Sequence, residues 1–206
     1  MLSLYMIMPH IDGGTLAQLL RTSAQIPHSA RIGIIQQIAQ ALDYAHRCEI
    51  VDRYGTSQRG LLHGDLKPAN IMLTQSRRPI VVDFLMPDLQ RVKLAPEQYV
   101  RGASTAAYGT PGYMSPEQAD RTGFMVPQSD IYSLGITLLQ TLDPTFDPRT
   151  TSLRMRLVQL ERGVRTGSIH ARILSFIRRM VAINIKDRPQ SMAHVVHELD
   201  AIRKAL

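Results

Sequence analysis

Tryptophan is absent from this chain of 206 residues, phenylalanine occurs four times and cysteine once. So few large aromatics leave little from which to build the stacking platforms that hold nucleic-acid bases. Lys and Arg number 24 against 17 Asp and Glu, a formal net charge of +7 that attracts anions. The basic residues are scattered through helical segments rather than gathered in a run, which reads as a solvated basic surface, so no nucleic acid is expected as a partner. With Cys48 alone there is no internal disulfide and nothing points to an oxidising compartment. No apolar stretch approaches the roughly 18 residues that span a bilayer. Met1 is followed by a short strand-like run without a basic n-region or a small-residue cleavage site, so a cytoplasmic chain with no membrane segment is expected. Internal repeats and low-complexity linkers are also lacking, which leaves one domain over 1–206, long enough to bury its own core.

What is present is a strand, then helices, then a short strand pair, then helices again. Leu2 to Met8 is a continuous apolar run stopped by Pro9 and reads as a buried strand. Gly13-Gly14 is expected to break the chain before a short helix over Leu16 to Leu20. From Ser29 to Arg47, Ile32, Ile35, Ile38, Ala39, Leu42 and Ala45 recur at the spacing of a helix with one buried face. The polar, Gly-containing stretch Asp52 to Gly60 reads as a surface excursion. Asn70 to Leu73 and Ile80 to Val82 are β-prone runs joined by a polar turn. Leu85 to Glu117 has prolines and glycines and no sustained period, and so long a loop in a compact domain is usually functional or disordered. Helical patterns resume over Gln128 to Leu142, His170 to Val181 and Met192 to Leu206.

The densest chemistry lies in His63-Gly64-Asp65-Leu66-Lys67-Pro68-Ala69-Asn70. A His, Asp, Lys and Asn at these spacings arise by chance on the order of once in a hundred thousand positions under ordinary residue usage. Asp65 can accept a hydroxyl proton, Lys67 can neutralise a transferring phosphoryl group, and Asn70 can offer an oxygen to Mg2+. A polar turn whose Asp and Asn bond their own backbone would use the same residues. Val81-Val82-Asp83-Phe84 delivers a second carboxylate a short hairpin later, where it and Asn70 make a two-oxygen seat for Mg2+; in isolation a strand-end Asp is a turn former. His194 and His197, at i and i+3 on the last helix, lack a third ligand and read as a solvated face.

Gly109-Thr110-Pro111-Gly112-Tyr113-Met114-Ser115-Pro116-Glu117, then Asp130-Ile131-Tyr132-Ser133-Leu134-Gly135, then Asp187-Arg188-Pro189 complete an ordered set. In this order and at these separations the chain resembles the C-terminal catalytic lobe of a eukaryotic-type Ser/Thr protein kinase, from about residue 4 to its end. The resemblance implies a protein substrate, ATP and Mg2+ as cofactors, and Asp65 as the base. Lys67 matches the loop lysine of Ser/Thr enzymes, Asn70 and Asp83 the metal ligands, and Thr110 the support of the hydroxyl site. It makes Glu117 and Arg188 a buried pair and Asp130 the helix residue that holds the catalytic loop. It implies Met8 as gatekeeper, Ile11 as the adenine-bonding hinge residue and Met72 in the adenine floor. Residues 1–14 match the last N-lobe strand and hinge, 63–70 the catalytic loop and 83–117 the activation segment.

Three departures stand out. The family's Gly-rich loop, phosphate-binding lysine and helix glutamate all precede the position that Met1 matches, so the chain alone is expected to transfer little phosphate and to expose a strand and hinge where an N-lobe or partner docks. Leu85 stands in place of a glycine after Asp83-Phe84, and Gly64 in place of the arginine that would pair with a phosphate on Ser104, Thr105 or Tyr108. The fold expected is α+β and kinase-like: a mostly helical C-lobe with a short N-terminal strand and a small catalytic-loop β-hairpin. The alternative to an enzyme is a pseudokinase or remnant that binds proteins without chemistry.

Overall fold

The computed structural model describes residues 9–22, 26–51, 55, 57–84, 109–120, 125–165 and 171–206. Among them the order is β1 (Gly13–Thr15), α1 (Leu16–Thr22), α2 (His28–Arg47), β2 (Glu49–Val51), β3 (Ser57–Arg59), β4 (Ile71–Thr74) and β5 (Pro79–Val81). Then come α3 (Pro116–Ala119), α4 (Pro127–Leu142), α5 (Leu153–Arg165), α6 (Ala171–Met180) and α7 (Met192–Lys204), with 3-10 turns at Pro68–Asn70 and Ile185–Asp187. The expected strand Leu2 to Met8 lies outside the described residues.

Two helices centre the core. A helix apolar nearly all round is stable only when covered nearly all round, and α4 is such a helix: Ile131, Leu134, Leu138 and Leu139 are fully buried. On α2 the expected stripe of Ile32, Ile35, Ile38, Ala39, Leu42 and Ala45 is buried, but Arg31, Ile34 and Gln36 are buried too. The single buried face expected for α2 is therefore widened, because α7 packs along it and α4 packs against it as well. On α6, Ile173, Leu174, Phe176, Ile177 and Met180 form one buried stripe, opposite exposed Arg172, Arg178 and Arg179. Met192, Val195, Leu199 and Ile202 do the same for α7, whose Ser191 hydroxyl caps it by accepting from the His194 N–H at 3.2 Å. Each such buried aliphatic side chain contributes about 1.5–3 kcal/mol.

The sheet order is β1-β4-β5, antiparallel throughout, with Gly14 opposite Leu73 and Ile71 opposite Val81. The chain break expected at Gly13-Gly14 is thus a strand. A Cβ on Gly13 would stand 1.8 Å from the Leu73 carbonyl oxygen, so only glycine lets β1 approach β4 this closely. Asn70, expected to open the hairpin, sits instead in the 3-10 turn just before it. The surface excursion begins after β2 and contains β3, which pairs antiparallel with β2, and Val51 at the end of β2 is exposed. α5 was not expected. Its Leu153, Leu157, Leu160 and Val164 recur at helical spacing, but basic residues between them dilute the signal, and of these only Leu160 is buried.

Candidate active site

The loop 61–70 is held from beneath. Asp130, on the first turn of α4 and 2% exposed, accepts from the backbone N–H of His63 and of Gly64, both at 2.9 Å, and from His46 Nε2 at 2.8 Å. Burial opposes ionisation of Asp130, but the His46 hydrogen bond and charge, with the Gly64 N–H, outweigh it and hold the carboxyl below its ordinary value. Gly64 adopts φ +76°, a conformation in which an arginine would be strained, and its carbonyl accepts from Gln118 Nε2 at 2.8 Å.

His63 is fully buried and its neutral form is written into its contacts. Nδ1 accepts from the Asp65 N–H at 3.2 Å, which leaves Nε2–H to donate to the Val82 carbonyl at 2.9 Å. Its ring lies 4.8 Å from that of Phe84. Desolvation pushes its pKa down, against the opposing influence of Asp130 and the Val82 bond.

Above these anchors Asp65, Lys67 and Thr110 close a triangle. Lys67 Nζ donates to Asp65 Oδ2 at 2.7 Å and to Thr110 Oγ1 at 2.6 Å, and the Thr110 hydroxyl donates to Asp65 Oδ1 at 2.7 Å. Asn70 Nδ2 donates to the Asp65 carbonyl at 2.9 Å and reaches Asp65 Oδ2 at 3.3 Å. Asp65 and Lys67 keep 18% and 23% of their side-chain surface exposed. A carboxylate so oriented, with a cation beside it and solvent access, can take a proton from an incoming hydroxyl.

The β4–β5 register continues through the Val82 N–H, which donates to the Asn70 carbonyl at 3.0 Å, so Asp83 follows directly beside the Asn70 turn. Asp83 is exposed and adopts φ +60°, a left-handed conformation in a non-glycine residue, the kind of strain that collects at functional positions. The pair fits the expected Mg2+ seat chemically: the Asn70 amide nitrogen is occupied by Asp65, which leaves its oxygen to an ion, and Asp83 offers a hard carboxylate. Among the described residues no three His, Cys, Asp or Glu side chains cluster as a metal cage, and His194 Nε2 instead lies 4.0 Å from Glu198 Oε1. Met72 is half-buried on the face of β4 opposite Ile71 and Leu73, and Ile11 is half-buried just ahead of β1. Met8, Leu85, Ser104, Thr105 and Tyr108 lie outside the described residues.

The expected pair of Glu117 and Arg188 is formed. Arg188 meets Glu117 through both guanidinium nitrogens, at 2.7 and 2.8 Å, with 0% and 6% of the side chains exposed. Arg188 also donates to the carbonyls of Ala182 and Gln128, at 2.8 and 3.0 Å, and Ser129 donates to Glu117 Oε1 at 2.7 Å. Burial works against the Glu117 carboxylate, but Arg188 and Ser129 together hold its pKa below the ordinary value. Sequence reasoning missed His46 and Gln118. A histidine near the end of an amphipathic helix and a glutamine after Pro-Glu carry no local sign that they reach a loop far away in the chain.

With this geometry in place, comparison with known proteins is direct. The family model for the protein kinase domain matches residues 2–199, and the chain belongs to that family. It is 33% identical over 144 residues to the serine/threonine-protein kinase PknB of Mycobacterium leprae (strain TN), which covers 69% of this chain and 20% of that protein. It is 35% identical over 144 residues to PknB of Mycolicibacterium smegmatis, again 69% of this chain and 20% of the relative. Against PknB of Mycobacterium tuberculosis (strain ATCC 25618 / H37Rv) the figure is 29% over 201 residues, 95% of this chain and 30% of the relative. The chain thus spans a fifth to under a third of these relatives' length. Among the described residues, no helix is long and apolar enough to cross a membrane.

Proposed function

We propose that this chain serves transfer of the ATP γ-phosphoryl group to Ser or Thr hydroxyls of proteins. The observation that carries the reading is the partly exposed Asp65–Lys67–Thr110 triangle, two of whose members sit on a loop that buried Asp130 clamps by its backbone. Phosphoryl transfer depends mainly on positioning and charge stabilisation, and the nucleotide with its Mg2+ supplies the transferable group when bound. Asp65 would orient the acceptor hydroxyl and take its proton. Lys67 would stabilise charge on the moving group, and Thr110 would hold the Asp65 carboxylate in register. Asn70 and Asp83 would hold the metal, and Met8, Ile11 and Met72 would contact the adenine. In this reading residues 1–14 are the last N-lobe strand and hinge, 63–70 the catalytic loop and 83–117 the activation segment of one domain. Its place is the cytoplasm, where ATP is available.

The test is radiolabelled phosphate transfer from ATP and Mg2+ to a generic protein substrate, by the chain as it is and by the chain joined to a compatible nucleotide-clamping lobe. Label on Ser or Thr, lost by about 10²–10⁴-fold in Asp65→Asn, is the expected outcome. Transfer that survives Asp65→Asn would remove this site from the chemistry. A folded, joined chain that transfers nothing would favour a protein-binding role.

A further inference from the structure

A groove of about 450 Å³ opens beside the triangle, with Lys67 and Thr110 on its wall. The groove leaves room for the residues next to a hydroxyl brought to Asp65. One side is α1, fixed by fully buried Leu16 and packed on the Pro68–Asn70 turn. The other is the turn after α4, which brings in Asp147 and Arg149. Tyr113 lies between them, its hydroxyl donating to Gln140 Oε1 at 2.5 Å and its pKa pushed up to about 12, chiefly by burial.

The charges on this lining are not balanced. Lys67 is taken by Asp65 at 2.7 Å. Arg149 is taken by Asp147, through Nε at 3.0 Å and a terminal nitrogen at 2.8 Å. Asp147 is the one acid among the lining residues, and this pair uses both of its oxygens. Arg21, exposed in the last turn of α1, has no acidic partner among the described residues. Among the described residues, a basic side chain entering the groove therefore meets cations and no free carboxylate. An acidic one meets a guanidinium whose planar fork matches a carboxylate, and complementary charge is what selects one partner over another at such a surface.

We propose that the protein substrate carries a carboxylate side chain close to its Ser or Thr, and that Arg21 is the specificity-determining residue that holds it. This rests on the protein-kinase reading of the site.

The test uses two fluorescent peptides of one apolar frame, with the acceptor Thr replaced by Ala. One carries Asp and Glu around that position and the other Lys and Arg, and binding is followed by anisotropy. The wild-type chain should bind the acidic peptide about five-fold more tightly, the scale of one accessible ion pair. Arg21→Gln should remove that preference and Arg21→Glu reverse it. Arg162→Glu, an equal charge change on exposed α5 outside the groove, should leave it intact. Equal affinities, no binding of either peptide, or a preference that survives Arg21→Glu would each overturn the proposal. Parallel phosphate transfer to the Thr forms, by the chain joined to a compatible nucleotide-clamping lobe, separates the two readings: transfer without preference refutes the role of Arg21 alone, whereas preference without transfer refutes the kinase reading and leaves an acidic-segment site.

Discussion

The Asp65–Lys67–Thr110 triangle and the anchors beneath it are made of the same chemical groups and are treated oppositely by the fold. Asp65 and Lys67 lie 2.7 Å apart with 18% and 23% of their side chains exposed. Arg188 and Glu117 lie equally close with 0% and 6% exposed, and Asp130 and His46 with 2% and 6%. In the anchors the charged oxygens are supplied with donors and water is kept out, so each contact is rigid and costly to break. In the triangle water competes for every contact, so the same pairing is weak and can rearrange around an incoming hydroxyl. One arrangement suits holding a loop and the other suits moving a proton.

The largest way to break this contrast is at the anchors. Arg188→Ala should lower stability by about 3–5 kcal/mol, because it strands the Glu117 carboxylate in the core, and Asp130→Ala should fall in the same range by orphaning two backbone N–H groups and His46. Denaturant melts measure both, and an unchanged midpoint for Arg188→Ala would contradict the assigned role.

Acid should act next, in two stages. The pKa of His63 is depressed in the fold, so as pH falls through about 6.5 the unfolded chain takes up the proton first and stability begins to decline. Glu117 and Asp130 are depressed as well, so their stabilisation is complete above the unfolded carboxyl range and is lost as pH falls through their lower folded values. Melting temperature against pH should therefore fall first near pH 6 and again below pH 4.5. His63→Asn should erase the first stage and keep the second.

At the triangle the expected effect on stability is smaller and the effect on function larger. Asp65→Asn should change stability by about 1 kcal/mol or less while removing phosphate transfer. A loss comparable to that of Arg188→Ala would show that Asp65 belongs with the anchors. The smallest effect should be that of Arg149→Ala, whose pair with Asp147 is on the surface: no shift in melting temperature is expected, by calorimetry.

The sequence by itself determined much of this protein. The spacing of Ile32, Ile35, Ile38 and Leu42 predicts α2, and the apolar run before Leu142 predicts α4, because helix periodicity is a local property of the chain. The run His63 to Asn70 marks the loop, because its chemistry needs several polar groups within one short segment, and the resemblance to kinases that this run began made Glu117 and Arg188 partners. Only the tertiary structure decided the rest. Whether Gly13 breaks the chain or joins a sheet depends on Leu73 lying close enough to exclude a side chain. That α2 is buried on more than one face follows from α7 and α4 closing over it. That His46 and Gln118 support the loop depends on contacts across 84 and 54 residues of chain, respectively. Which cations are already paired and which one, Arg21, is left facing the groove is likewise a matter of packing, since charge neutralisation depends on distances of a few ångströms that no local pattern encodes.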